Sequence, residues 1–133
     1  QIAYSKAVLA GTAPEPLSGL AKAYAHRTLA LANGPREEEI ILQALRLGEV
    51  GITSIPCEVL CEIGLTLKAK SPLPQATFTI ELANGHNGYL PTPRQHTLGG
   101  YETWMGTCTL ELLASVKIQK TLLGMLEKVA GKD

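Results

Sequence analysis

Apolar and polar positions fall into blocks whose spacing changes from helical to extended and back along the chain. Ala3 to Ala10 is apolar with Tyr4 and Lys6 interleaved, which fits a strand or the tail of a helix, and Gly11 to Pro16 breaks any regular element. From Pro16 the positions Leu17, Leu20, Tyr24, Thr28 and Leu31 recur at three- and four-residue spacing, with Ala21 and Ala25 beside them. That period predicts an amphipathic helix. Asn33-Gly34-Pro35 ends it, since glycine suits a left-handed cap and proline cannot continue a helix.

Two apolar runs follow, Ile40 to Leu47 and Val50 to Ile55, flanking Gly48-Glu49. A two-residue turn with glycine first signals a hairpin. Both strands read as buried on two faces, so something must cover them. Pro56 then stands where a first helical turn tolerates it, and Val59, Ile63 and Leu67 mark one side of a helix reaching about Ala69. Ser71-Pro72-Leu73-Pro74 stops that helix. Thr77 to Leu82 alternates strictly, placing Phe78, Ile80 and Leu82 on one face of a strand. Asn84-Gly85, Gly88, Pro91, Pro93 and Gly99-Gly100 mark a long irregular loop, and loops of that length in compact domains tend to be functional. A last helix spans about Thr109 to Val129, with Leu112, Val116, Leu123 and Leu126 inward and Lys117, Lys120 and Lys128 outside. The order helix, hairpin, helix, strand, helix predicts an α/β or α+β layer: a small mixed sheet with a β-hairpin, covered by three helices.

Composition narrows the function classes. At 133 residues the chain is one domain's worth, and twelve basic residues cancel twelve acidic ones. No electrostatic footprint for nucleic acid or an anionic membrane surface results. No apolar run is long enough to span a bilayer, and no signal-peptide pattern is present. Three cysteines do not make a disulfide framework and are expected to be buried free thiols.

Candidate chemistry gathers between Pro56 and Trp104. Glu58 and Glu62, four apart on the expected helix, would share a face, either as first-turn carboxylates favoured by the helix dipole or with Glu58 as metal ligand or general base. Tyr89 and Tyr101 stand twelve apart in the loop. They are either half-buried aromatics or a pair in which one phenolate binds a metal and the other phenol donates to a developing oxyanion, a role that can be worth ~3 kcal/mol. His86 and His96 flank Tyr89, and His96 could orient a group or relay a proton. His26, on the first helix, reads as a surface or packing residue. Cys57, Cys61 and Cys108 lack a CxxC, so a thiolate metal site is weakly marked, as is a Cys108–His96 nucleophile pair.

Together Pro56-Cys57-Glu58-x5-Gly64, Asn84, Tyr89-Leu90-Pro91-Thr92 and Tyr101-Glu102 resemble the neutral/alkaline non-lysosomal ceramidase family. The likeness is greatest to ceramidase-like bacterial proteins carrying an LANGxxGYLPTPxQHxLGGYETW stretch, and it covers about Pro35 to Met125. The resemblance implies a zinc-dependent amidase with an α/β catalytic domain, in which Glu58 and Tyr89 are metal ligands and Tyr101 hydrogen-bonds the substrate oxygen. His96 or Glu102 would support these groups. It also implies an N-acyl amide or lipid-like substrate, sphingolipids being the family's own, and a secreted or periplasmic protein. Two positions depart from the family pattern: Cys57 replaces a glycine and His86 a tyrosine, which changes the pocket wall and leaves the acyl amide open.

The family's paired zinc histidines, its serine and its substrate arginine have no counterpart in these residues. A catalytic zinc commonly has three protein ligands, and this chain offers two. The expectation is that residues 1–133 are a single domain or the C-terminal half of a catalytic domain, inactive alone, with the histidines supplied by the N-terminal part of the same protein. The alternative is a non-catalytic packing or assembly module that retains the scaffold. A stand-alone thiol hydrolase using Cys108 is a third possibility.

Overall fold

The first helix forms where the sequence pattern was ambiguous. In a computed structural model, which describes residues 1–14, 19–73 and 76–131, Ile2–Ala10 is α1, ended by Gly11, and not a strand. Its inward residues, Ser5 and Val8, pack against Ala25 and Thr28 of α2 (Ala21–Asn33), so the two helices form a hairpin with small residues at their contact. The expected start of α2 at Pro16 and Leu17 lies outside the described residues. Gly34 does end α2, but with extended backbone and not the left-handed cap expected; the proline behind it is the stop.

The hairpin is present as read. β1 (Gln43–Leu47) pairs antiparallel with β2 (Val50–Ile55) across Gly48-Glu49, with Leu47 opposite Val50. β4 (Ala76–Glu81) pairs parallel with β2 on its other side, Ile52 opposite Phe78. The three strands make a mixed sheet in the order β1-β2-β4, and the molecule is α+β.

Among the described residues helices cover only one face of that sheet. Below it lie α3 (Cys61–Lys70), chiefly against β4, and α5 (Ala114–Val129), chiefly against β1 and β2. The covered face carries small residues: Gly51, Thr53, Thr77 and Thr79, with the Thr53 and Thr79 hydroxyls 2.9 Å apart. A Cβ at Gly51 would sit 2.9 Å from Leu73 and 3.1 Å from Leu126, so only glycine lets α5 come this close to β2. The opposite face presents Leu45, Leu47, Ile52, Phe78 and Ile80, of which Leu47 is 73% and Leu45 56% exposed. Phe78 and Ile80 share a face as expected, but it is the bare one; Leu82 lies beyond the strand end at φ 54°. β1 is mostly exposed, whereas β2 is buried on both sides over Thr53, Ser54 and Ile55 only.

The core is a cluster of Ile55, Cys57, Ile63, Leu67, Leu90, Ala114, Ile118 and Leu122. Burying such side chains contributes roughly 1.5–3 kcal/mol each for the larger ones. α5 faces inward through Ala114, Ser115, Ile118, Leu122 and Leu126; Leu126 is buried and Leu123 packs against the core as expected, whereas Leu112 and Val116 are about half exposed, and the helix starts at Ala114. Among the described residues no helix is long and apolar enough to cross a membrane.

The largest difference from expectation lies after Pro56. Residues 56–60 are not helical; Glu58–Val59 is a two-residue strand, β3, and α3 begins only at Cys61. Glu58 and Glu62 consequently do not share a helix face, and no helix dipole acts on Glu58. The long loop also contains regular structure: β5 (Tyr89–Leu90), α4 (Pro93–Leu98) and a short 3-10 turn at Tyr101–Thr103. Thr92 opens α4 with a capping box, its hydroxyl accepting from the Gln95 N–H while the Gln95 side chain accepts from the Thr92 N–H.

Candidate functional site

β3 and β5 pair in parallel, with Glu58 opposite Tyr89 and Val59 opposite Leu90. Leu90 is fully buried, and alternation along a strand then sends Tyr89 to the other side, where Glu58 also emerges. The core thus orients the pair. The backbone around it is tied from three directions: Glu58 N–H donates to Gly88 O (3.0 Å), Tyr89 N–H to Thr107 O (3.2 Å) and Asn87 N–H to Pro56 O (2.7 Å). Val59 N–H donates to the Glu81 carboxylate at 2.9 Å, linking β3 to the end of β4. Gly88 takes φ +74°, and a Cβ there would lie 2.6 Å from Thr107 O, so a side chain would force β5 away from its neighbour.

The Tyr89 hydroxyl faces the Glu58 carboxylate, and its hydrogen bond is the main reason the Glu58 carboxyl sits below the usual carboxylate range. His86 is the second cause, its Nε2 lying 3.2 Å from Glu58 Oε1. In return the carboxylate pushes the Tyr89 phenol up to about 12. Without a cation the phenol is a protonated donor and the carboxylate an ionised acceptor. Both are solvent-reachable; the Glu58 side chain is 32% exposed.

Tyr101 packs edge-on against Tyr89, ring centroids 5.7 Å apart, and Trp104 packs against Tyr101 at the same distance. The structure thus brings three of the sequence-identified groups, Glu58, Tyr89 and Tyr101, into one neighbourhood. Glu102 lies near enough to add to the upward push on Tyr89, its carboxylate folded over Gly100. His96 sits on α4 with Nε2 buried and no protein partner, and makes no hydrogen bond to Glu58 or Tyr89. Glu62, on α3, faces Gln95 and Arg94 of α4.

The thiols are arranged differently from expectation in one respect: Cys57 and Cys108 are buried, but Cys61 is exposed. Burial pushes the Cys57 thiol up to about 11 and raises Cys108 as well. Protonated, buried sulfurs make poor nucleophiles and poor metal ligands, which counts against both the thiolate site and the thiol hydrolase. His26 is exposed, as read.

Among the described residues no three His, Cys, Asp or Glu side chains gather at one point. What the site offers a cation is a carboxylate and a phenol side by side, with an imidazole hydrogen-bonded to the carboxylate. These are hard oxygen donors of the kind that join histidines around zinc, and a partner that orients a ligating carboxylate is a usual companion. No family model matches the chain, and no curated protein or solved structure matches it.

Two groups escaped the sequence reading. His86 stands out in the sequence as flanking Tyr89 and as a departure from the family's tyrosine, but not as the imidazole on Glu58 that it is; its place directly after Asn84-Gly85 is the available sign of a turn that folds back. Trp104 closes the LANGxxGYLPTPxQHxLGGYETW stretch, but nothing in the sequence marks its packing against Tyr101.

Proposed function

We propose that the chain is part of a zinc-dependent amidohydrolase of the neutral-ceramidase type, acting on an N-acyl amide bond. The observation that carries this reading is the register of β3 against β5, which sets Glu58 beside Tyr89 although thirty residues separate them. The resemblance of the Pro56–Gly64, Tyr89–Thr92 and Tyr101–Glu102 segments to that family supports it. Glu58 and Tyr89 would hold the metal, together with histidines from polypeptide outside this chain. A bound zinc supplies Lewis acidity toward a carbonyl and a lowered pKa for water. Glu58 contributes negative charge held in place by His86; Tyr89 would supply the second oxygen donor as the phenolate, its proton passing to solvent water, to which the pair is open. Tyr101, edge-on to Tyr89, would donate its hydroxyl to the oxyanion that develops on the amide carbonyl. Glu102, close enough to act on the Tyr89 phenol, or His96, from α4, would support these groups.

The test is zinc content and amide hydrolysis in the complete protein. Glu58→Ala or Tyr89→Phe lowers both together, whereas full zinc occupancy in Glu58→Ala removes the assignment. A non-catalytic assembly module is the second reading, favoured by one observation, the bare apolar face of the sheet. A His-x-His after a β-patterned run in the reading frame upstream of Gln1 supports the enzyme; its absence supports the module.

A further inference from the structure

The turn that carries His86 is fixed by the backbone just before Glu58. Asn87 N–H donates to Pro56 O at 2.7 Å, Leu82 N–H to Cys57 O at 3.1 Å and Ala83 N–H to Ile55 O at 3.3 Å, so residues 82–87 are tied at both ends to residues 55–57. A Cβ at Gly85 would lie 3.3 Å from the Pro56 Cβ, which sets the turn flush against that proline. Asn84, in the left-handed region at φ 67°, reverses the chain and donates through Nδ2 to Gln43 Oε1 of β1 at 2.7 Å. The imidazole therefore reaches Glu58 from a built position.

The separation of the two side chains is that of two donors on one ion. His86 Nε2 and Glu58 Oε1 lie 3.2 Å apart. Zinc takes nitrogen and carboxylate oxygen at about 2.0–2.2 Å in tetrahedral geometry, which puts neighbouring donor atoms roughly 3.3–3.5 Å from each other. A charge-assisted bond from an imidazole to a carboxylate is shorter, about 2.7–2.9 Å. The Tyr89 hydroxyl faces the same carboxylate, so a nitrogen, a carboxylate and a phenol converge on one point, and Glu102 adds negative charge near the phenol. The His86 and Glu58 side chains are 66% and 32% exposed, which leaves a fourth position open to water.

We infer that His86 is itself a zinc ligand, binding through Nε2, so that Glu58, Tyr89 and His86 make a three-donor zinc site complete within this chain. The inference rests on the reading of Glu58 and Tyr89 as metal ligands, and adds to it an imidazole at a position where the ceramidase pattern has a tyrosine. Three protein donors and an open position are what a catalytic zinc commonly has. His86 binds as the neutral imidazole with its proton on Nδ1, and the Tyr89 proton passes to water as the phenolate forms. The nitrogen donor also selects the ion, because magnesium and calcium take larger, all-oxygen sets.

Zinc titration of the 133-residue chain, followed by X-ray absorption at the zinc edge, is the experiment. One zinc binds per chain with one imidazole in its shell, and excess magnesium does not displace it. His86→Gln, at an exposed turn position, keeps the native circular dichroism spectrum, removes the imidazole signal and weakens zinc binding at least about tenfold, the least that losing even a supporting partner costs. His26→Gln on α2 changes neither. A zinc shell without imidazole, an imidazole that survives His86→Gln, or a chain that binds no zinc overturns the inference. Glu58→Ala separates the two readings. Zinc lost in Glu58→Ala but held unchanged in His86→Gln keeps the Glu58–Tyr89 pair and discards His86 as a ligand, whereas zinc indifferent to Glu58→Ala discards the pair and the three-donor site with it.

Discussion

Glu58 and Tyr89 hold each other in opposite protonation states, and a cation would take the position the phenol proton now fills. Tyr89→Phe should therefore raise the Glu58 carboxyl toward its usual range, and His86→Gln should raise it less, since the phenol is the larger cause. Carboxyl-carbon NMR titration of the three proteins reads this directly; equal shifts in the two variants would contradict the assignment. The buried thiols carry a separate pH signature. In the folded state Cys57 titrates at about 11 against an ordinary 9.0, so the unfolded chain loses that proton first as pH rises. The stabilisation is complete below about 9 and is lost on going from 9 to 11. The urea midpoint should fall across that window, less steeply in Cys57→Ala. At pH 8 iodoacetamide should label only Cys61 in the native protein, with Cys57 and Cys108 reacting on unfolding. Residue types were the most legible layer of the sequence: Glu58, Tyr89 and Tyr101 stood out from their setting. The orientation of His86 did not, because an imidazole on a turn has no periodicity to betray what it faces.

At the scale of elements, local pattern and long-range pairing divided the outcome. The β1–β2 hairpin and the end of α3 at Ser71 followed from turn chemistry and breakers that act within a few residues. β3 could not be read, because a two-residue strand has no period and exists only through its pairing with β5 thirty residues later. Pro56 and the apolar spacing at Val59, Ile63 and Leu67 imitated a helix start five residues too early. Two substitutions test what holds the β3–β5 pair in place. Gly88→Ala meets Thr107 O and a left-handed backbone at once, and should cost more than ~1 kcal/mol in urea unfolding while loosening the Glu58–Tyr89 hydrogen bond. Thr92→Ala removes the capping box of α4 and should cost about 0.5–2 kcal/mol without altering Glu58. If Gly88→Ala left both stability and the Glu58 titration unchanged, the site would not depend on this crossing.

For the whole molecule, the mixed α+β class was legible, and the side of the sheet that faces water was not. Alternation in Thr77 to Leu82 identified two faces correctly, but the hydrophobic one was not the covered one. α3 and α5 instead pack on glycine and threonine, where small side chains allow close approach and the hydroxyls bond to one another. The bare face should bind an apolar dye; Leu47→Glu with Phe78→Glu should abolish that binding and leave the urea midpoint nearly unchanged, since both side chains are already about half exposed or more. A large drop in stability would mean that this face is packed.

The proposed joint metal site of Glu58 and Tyr89 is tested most directly by the ultraviolet difference spectrum of the complete protein with and without zinc. One tyrosinate per zinc bound is expected, absent in Tyr89→Phe, absent or much weakened in Glu58→Ala, and retained in Tyr101→Phe. A tyrosinate signal that survives Tyr89→Phe, or zinc bound at full occupancy with no tyrosine ionised, would contradict it.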